Sequence, residues 1–377
     1  MKKVLLSTSA IALAGAFASS ASAADWNVRV GGYMEQYVAY ADSNVDGISG
    51  EEFGGVDSKQ DNEIWFIPSI TLDNGIKFGA NVQLEGLTGS DQIDESYMFI
   101  QGAFGEVLLG SENSAGYKMQ YAAPDVSFIN VNSGSTTAFI PFSGTATGRG
   151  TTVNVGDDLF RGTLFTTYLE NDRINDAQRI TYFTPRFAGF QVGASYARDG
   201  QQDSNAQVNL DGTVGDYVDL GANYVNSFGD FDVALSARWG KGFNESAADP
   251  EVYGFGANLG FAGVTVGGSW AEQNDSTDNN SDGVAWDAGV SYETGPWGFS
   301  FTYFNGENTD DENAALGADE ENQQYLLAAK YTLAKGVDLH GYAAYVDFEE
   351  DLGDGGLGTA GNDVDGFIIG TGVKISF

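Results

Sequence analysis

Apolar and polar residues alternate with a period of two along most of the chain beyond residue 24, and this limits the fold more than any other feature. In GDFDVALSARWG (229–240), every second residue from Phe231 to Trp239 is apolar, whereas Asp232, Ser236 and Arg238 occupy alternate positions. The same pattern recurs at 75–86 and 322–333. Successive side chains of a β-strand point to opposite faces of its sheet, so the pattern is typical of strands with one apolar and one polar face.

Short and long connections take turns between these predicted strands. The short ones, such as DNG at 73–75 and SFGD at 227–230, carry the glycine that tight hairpin turns need. The long ones, such as ENTDDENAALGADEEN at 307–322, are polar and acidic. The pattern predicts sixteen strands, with approximate spans 25–41, 61–73, 75–87, 94–104, 106–111, 177–186, 189–198, 216–227, 229–241, 251–261, 263–273, 283–294, 297–306, 322–333, 336–348 and 364–377.

An even number of strands, with short turns at one end and long loops at the other, predicts an all-β fold, a 16-stranded antiparallel transmembrane β-barrel. A large soluble β-sandwich remains an alternative, because the residues alone do not fix which face points inward. A β-propeller would show a repeat of about 40–50 residues, and no such repeat is found. Aromatic residues at the ends of the apolar faces favour lipid as their environment, as in an interfacial girdle. They are Trp26, Tyr40, Trp239, Trp270 and Trp297.

Residues 1–23 have the pattern of a cleaved secretory signal peptide. Lys2 and Lys3 precede an apolar run, and Ala21-Ser22-Ala23 forms an A-x-A cleavage site. We therefore expect an exported mature chain of residues 24–377. No later run of 18 apolar residues predicts a transmembrane helix.

Residue content argues against most enzyme classes. The chain has no cysteine and one histidine, His340, so thiolate chemistry is excluded and a serine triad or zinc site would depend on that single residue. An outer-membrane barrel enzyme such as a lipase or protease is therefore a weak alternative, and we expect no catalytic residues. The 53 acidic against 17 basic residues exclude nucleic acid as a partner and favour attraction of cations.

The stretch DSNVDGISGEEF at 42–53 resembles a calcium loop without completing one. An EF-hand loop closes with glutamate at its twelfth position, where this stretch has Phe53, and it needs a flanking helix on each side. We interpret the stretch as the first external loop of the barrel. A weak cation site at the rim is one hypothesis, and a secreted calcium-binding β-protein is a remote alternative for the whole chain. The candidate ligands are Asp42, Asn44, Asp46, Glu51 and Glu52. We expect no other cofactor, although calcium could bind at the acidic external loops.

Three segments resemble Gram-negative general diffusion porins of the alphaproteobacterial type. They are ADWNVRVGGYMEQYVAYAD at 24–42, RITYFTPRFAGFQVGASYARD at 179–199, and GVKISF at 372–377, which ends on Phe377. The resemblance covers essentially all of 24–377. It implies a homotrimer in the bacterial outer membrane, in contact with lipid and lipopolysaccharide, whose terminal Phe377 is read by the barrel-assembly machinery. The implied function is a water-filled channel for passive diffusion of ions and small hydrophilic solutes.

The resemblance also implies a long third loop that folds into the barrel and narrows it. The connection of about 111–176 has the matching length, and 159–169, although apolar enough for an extra strand, is interpreted as loop packed in the lumen. In the family, acidic loop residues face basic residues on the wall. The wall candidates are Arg29, Lys77, Arg179 and Arg238, and the loop candidates are Asp125, Asp157, Asp158, Glu170 and Asp172. The acidic balance favours weak cation selectivity, and the alternative is a solute-specific channel with a binding site in the lumen.

Overall fold

The computed structural model describes residues 25–45, 54–86, 92–140, 162–171, 174–201, 214–243, 249–275, 282–308, 318–352 and 363–377. Within these residues, sixteen antiparallel strands form one closed barrel. The first strand pairs with the second on one side and with the sixteenth on the other, so the ring has no free edge. The predicted all-β, 16-stranded antiparallel barrel is confirmed. The predicted signal peptide lies outside the described residues.

Each predicted strand corresponds to one observed strand. The strands are β1 Asn27–Val45, β2 Gly54–Thr71, β3 Lys77–Glu85, β4 Ile93–Gly102, β5 Gly105–Ser111, β6 Gln178–Phe183, β7 Phe190–Ala197, β8 Gly215–Phe228, β9 Phe231–Phe243, β10 Glu251–Phe261, β11 Val264–Asn274, β12 Gly283–Thr294, β13 Trp297–Asn308, β14 Ala318–Ala334, β15 Val337–Leu352 and β16 Val364–Ser376. The largest differences lie at the long-loop end, where β2 begins seven residues earlier than predicted. Both faces of a strand meet water there, so the apolar alternation fades although the backbone ladder continues.

The two faces of the strands separate as the alternation predicts, with apolar side chains outward. In β1, Glu35 and Ala39 point inward and are buried, whereas Met34 and Val38 point outward and are exposed. Directly paired residues of neighbouring strands share a face, so the same assignment extends around the ring. A sandwich would bury its apolar faces, and this barrel exposes them as a membrane-spanning barrel must.

Aromatic side chains form a belt near each end of the outer surface. At the short-turn end, Phe231 and Phe261 stack with ring centroids 4.5 Å apart. At the long-loop end, neighbouring strands carry a row of rings with successive centroids 5.0, 4.8 and 6.4 Å apart. That row consists of Trp286, Tyr303, Tyr325 and Tyr345. Four of the predicted girdle residues, Tyr40, Trp239, Trp270 and Trp297, lie on outward faces, and the fifth, Trp26, is exposed just before β1. Among the described residues, no helix is both long enough and apolar enough to cross a bilayer.

The connection between β5 and β6, residues 112–177, is loop 3, and the parts of it that the structure describes (112–140, 162–171 and 174–177) lie inside the barrel. These described parts include a short helix, α1 (Ala115–Met119), and a 3-10 turn at Ser135–Ala138. Leu164 and Phe165 are fully buried and join Ile129 and Val131 in an apolar core between loop and wall. The predicted inward-folded third loop is confirmed. The described part of the apolar segment 159–169 forms no strand, and residues 159–161 lie outside the described residues.

The boundary predicted for the first external loop is wrong. Asp42 to Val45 continue β1, because Asp42 still pairs with Phe367 of β16 and with Gly54 of β2. Polar side chains at the end of a barrel strand stand in water, so polarity alone does not mark the end of the ladder.

Candidate channel constriction

Loop 3 is held along the inner wall by its own backbone amides. Five amides between Ala115 and Val126 donate to side chains of five different strands. The acceptors are Ser195 on β7, Asp219 on β8, Ser236 on β9, Asp287 on β12 and Ser300 on β13. Because the acceptors follow one another around the ring, this part of loop 3 runs along the wall rather than across the lumen.

Inward-facing glycines open the path that the loop follows. A Cβ atom at Gly256 would stand 1.8 Å from the carbonyl oxygen of Tyr121, and one at Gly306 would stand 2.3 Å from that of Thr163. No side chain fits at such distances, so the backbone of the loop touches the backbone of the wall at these points. Sequence reasoning missed this track, although glycine at inward positions of successive strands is the signal that marks it.

Asp287 is the central acceptor of this attachment, and it is 4% exposed. It accepts hydrogen bonds from the amides of Ala123 and Ser269 and from Nδ2 of Asn132 at 2.6 Å. Oδ1 of Asn132 also accepts a hydrogen bond from the amide of Thr167 at 2.6 Å, and this bond links two segments of loop 3 that are far apart in sequence. Neither Asp287 nor Asn132 was predicted from the sequence.

Two of the predicted wall residues lie behind loop 3. Arg238 is 5% exposed, donates to Asp219 at 2.6 Å and also donates to the carbonyl oxygen of Leu169. Arg179 is equally buried and lies 3.9 Å from Glu170. Both are on inward positions, as the alternation predicts, but the loop covers them. They fasten the loop to the wall, because buried guanidinium groups need such acceptors.

The two predicted loop acids that the structure describes also point toward the wall. Asp125 accepts from the amide of Ser127 at 2.9 Å and from the hydroxyl of Ser300 at 2.8 Å, and burial raises its pKa. Glu170 accepts from the amide of Ser114 at 2.7 Å. Both carboxyl groups serve the attachment of the loop. The other three predicted loop acids, Asp157, Asp158 and Asp172, lie outside the described residues.

The remaining predicted wall residues lie near the short-turn end. Arg29 is the third residue of β1 and is exposed, and Lys77 begins β3, with its Nζ 5.2 Å from the ring centroid of Phe99. The structure therefore does not bring the four basic candidates together. Their contribution to conduction stays a prediction.

Part of the inner wall next to loop 3 keeps an acidic, partly exposed surface. On β1 to β3 the inward positions hold five carboxylates against three basic side chains, and two of those three, Arg29 and Lys77, lie near the short-turn end. We call the five carboxylates the acidic wall: Glu35, Asp57, Asp61, Glu63 and Glu85. Lys59 is the basic residue among them and pairs with Asp57 at 2.6 Å.

Hydrogen bonds fix the middle of the acidic wall. The Tyr33 hydroxyl lies 3.1 Å from Oδ2 of Asp61 and 2.9 Å from Oε1 of Glu63. The Trp65 indole donates to Glu63 at 2.7 Å. Hydrogen bonds of this kind hold carboxyl groups in place. The acidic wall therefore presents its carboxyl groups at fixed positions.

The described surface of loop 3 that stays accessible offers hydroxyl groups and one ammonium. Tyr117 and Tyr168 lie with ring centroids 5.6 Å apart, and burial raises the pKa of the Tyr168 phenol, so it stays neutral. Lys118 is about one third exposed and pairs with Glu112 at 2.6 Å. Among the described residues, the partly exposed acids on β1 to β3 therefore face a part of loop 3 whose own acids Glu112, Asp125 and Glu170 are buried or paired. The predicted opposition of loop acids and basic wall residues stays a prediction.

Carboxylates lie close together at two places on β1 to β4 and β16. Carboxylate oxygens of Glu63, Glu85 and Asp94 lie within 4.8 Å of one another. At the rim, Asp42 and Asn44 lie on the outward face of β1, where Nδ2 of Asn44 donates to Asp365 at 3.4 Å. Asp46, Glu51 and Glu52 lie outside the described residues, so the rim site stays a prediction.

Comparisons with known proteins agree on the fold. A family model for Gram-negative porins matches residues 8–351. The structure of an anion-selective porin from Comamonas acidovorans has a TM-score of 0.61, with 21% identity over 94% of this chain and 100% of that one. OmpT of Vibrio cholerae, an outer-membrane protein, has a TM-score of 0.58, with 13% identity over 95% and 100%. A mutant of the Rh. blastica porin has a TM-score of 0.50, with 16% identity over 93% and 100%. A search of curated proteins found no match.

Proposed function

The chain belongs to the Gram-negative porin family, and we propose that its outer-membrane channel is a general diffusion pore with a weak preference for cations. Passage through such a channel needs no catalytic group, because the width of the pore and its fixed charges decide what passes. Ions and small hydrophilic solutes would cross beside loop 3, past the acidic wall.

The acidic wall is the observation that supports the cation preference. Its carboxylates stand on the lumen side of β1 to β3, and the Debye length at physiological salt is about 8 Å, so an ion in a narrow channel feels them. Cations are concentrated and anions depleted in such a field. The similar Comamonas structure is that of an anion-selective porin, so the fold is compatible with either preference and the wall charges decide.

The attachment of loop 3 supports diffusion through a pore of constant width. Its amides are hydrogen-bonded to five strands, and its apolar side chains are buried against the wall. A loop fixed in this way keeps the channel open without ligand or energy. A homotrimer is part of the proposal, and OmpT of Vibrio cholerae has been solved in a trimer form. Contact with lipopolysaccharide and recognition of Phe377 by the barrel-assembly machinery stay predictions.

Reversal potentials in planar bilayers test this function. The purified protein, checked for heat-modifiable migration on a detergent gel, is reconstituted under a KCl gradient. We expect a reversal potential whose sign corresponds to K⁺ being more permeable than Cl⁻. A clear preference for Cl⁻ would contradict the proposal, and saturable block of the current by one solute would favour a solute-specific channel instead.

A further inference from the structure

We propose that Lys374 is the specificity-determining residue that limits the cation preference of this channel, by neutralising Glu35 at the edge of loop 3. The inference rests on the proposed diffusion function and deepens it. It assigns the strength of the preference to one ion pair of the wall, between β16 and β1.

The contacts of Lys374 define this pair. Its Nζ donates to Oε1 of Glu35 at 2.5 Å, and it lies 4.7 Å from the ring centroid of Tyr33. Lys374 and Glu35 are directly paired in the ladder that closes the barrel. The carboxylate of Glu35 and the ring face of Tyr33 both attract an ammonium group. Together they hold the side chain of Lys374 in one position.

The pair lies directly beside the edge of loop 3. The next inward residue of β1 is Tyr37, whose ring centroid is 5.2 Å from that of Phe128 and 5.9 Å from that of Phe139, both in loop 3. The next inward residue of β16 is Gly372, where a Cβ atom would stand 2.4 Å from the Phe128 ring. Solutes that pass loop 3 on the β1 side therefore pass this pair.

The two charges of the pair are not equally accessible. The side chain of Lys374 is 34% exposed and that of Glu35 is 7% exposed, so a passing ion meets the ammonium rather than the carboxylate. Asp61 and Glu63 stand beside the pair, held by the hydroxyl of Tyr33. Without Lys374, the carboxyl group of Glu35 would stand beside theirs with no ammonium group to offset it.

The chain offers a matched control in the pair of Lys330 and Glu293. Its Nζ to Oε2 distance is 3.2 Å, and the ammonium also belongs to an inward-facing lysine. This pair lies next to the short turn after β12 and also borders loop 3, because a Cβ atom at Gly298, the ladder partner of Lys330, would stand 3.1 Å from Cγ1 of Val126 and 3.3 Å from Cε of Lys330. Here the carboxylate is the more exposed partner, with 60% against 25%. Substitution of either lysine by glutamine changes the net charge equally. The two pairs differ in their place around the ring and in which partner is the more exposed, the ammonium of Lys374 or the carboxylate of Glu293.

The experiment compares reversal potentials under a dilute KCl gradient, each expressed relative to the wild type. A unit charge about 8 Å from the ion path in water changes ion energy by roughly RT, so we expect Lys374→Gln to raise the K⁺ to Cl⁻ permeability ratio by about twofold to threefold. Lys330→Gln should raise it by less. Glu35→Gln leaves the ammonium unpaired and should lower the ratio, and Glu35→Gln with Lys374→Gln should return it close to the wild type.

Lys374→Arg keeps the charge and should keep the wild-type ratio, which separates charge from disturbed packing. Equal effects of Lys374→Gln and Lys330→Gln, or a shift of Lys374→Gln toward anions, would overturn the inference. Every change in the permeability ratio is measured relative to the wild type. An anion-selective wild-type channel would therefore contradict the proposed cation preference but leave this test valid.

Discussion

At the scale of single residues, Asp287 shows how a buried charge can serve a channel without meeting any solute. Its carboxylate is 4% exposed and receives donors from loop 3 and from β11. Substitution Asp287→Ala would leave the amide of Ala123 and Nδ2 of Asn132 without their acceptor. An unsatisfied buried donor costs about 1–3 kcal/mol, so we expect loop 3 to loosen at its middle. Single-channel recordings should show increased open-channel noise, and the unfolding temperature in detergent should fall.

Ser300→Ala is the matched comparison for Asp287→Ala. Ser300 accepts from one loop amide, that of Val126 at 3.2 Å, and also donates to Asp125. The loss of this smaller acceptor should raise the noise less than Asp287→Ala does. Equal noise in both variants and in the wild type would show that the wall acceptors do not control the motion of the loop.

The positions of individual charges were only partly predictable from sequence. Alternation put Lys77, Arg179 and Arg238 on the inward face, because a strand has only two faces. It could not show that loop 3 covers the two arginines, since cover depends on the path of another segment. Nor could it pair Glu35 with Lys374, because the two residues are 339 positions apart in the chain and meet only when the barrel closes.

At the scale of elements, the fit between loop 3 and the wall depends on glycine at the points of contact. Gly256→Ala would place a methyl carbon 1.8 Å from the carbonyl oxygen of Tyr121, so the two atoms would overlap. The loop must move away from β10 and into the lumen, because the closed ladder of the barrel is the more rigid partner. We expect a lower single-channel conductance, measured in symmetric KCl.

Gly341→Ala is the control for Gly256→Ala. A Cβ atom at this glycine of β15 would approach no atom more closely than 4.0 Å, the distance to the carbonyl oxygen of Gly370. Its conductance should equal that of the wild type. A normal conductance in Gly256→Ala would mean that the loop does not define the width of the pore at this strand.

The strands were predictable and the path of loop 3 was not, for a physical reason. Each strand carries its own local signal, the period-two alternation that separates lipid from lumen, so all sixteen could be found one by one. The path of the loop is decided by acceptors and glycines far away in sequence, such as Ser236 for the amide of Tyr121. The acidic residues of the loop predicted negative charge facing the lumen. Asp125 instead accepts a hydrogen bond from Ser300 on the wall.

At the scale of the whole molecule, selectivity is an electrostatic property that salt must weaken. The chain has a formal net charge of −36, but charges on distant loops are screened beyond about 10 Å at 0.1 M salt. The acidic wall acts at shorter range, and its influence should persist until the Debye length falls to about 3 Å near 1 M. The preference should therefore depend on ionic strength, and on the wall more than on the net charge.

Two series of reversal potentials separate the wall from the net charge. With a constant KCl ratio across the bilayer and mean concentrations from about 0.1 M to about 1 M, we expect the cation preference to decline toward the ratio of free ion mobilities. In the double variant Asp61→Asn with Glu63→Gln, the cation preference should already be close to the ratio of free ion mobilities at about 0.1 M, and it should change little as salt is added. Asp249→Asn with Asp275→Asn removes the same charge from the long-loop ends of β10 and β11, and it should follow the wild type. Two results would show that the selectivity does not arise from the acidic wall. One is a cation preference that does not change with salt concentration, and the other is a larger loss of preference in Asp249→Asn with Asp275→Asn than in Asp61→Asn with Glu63→Gln.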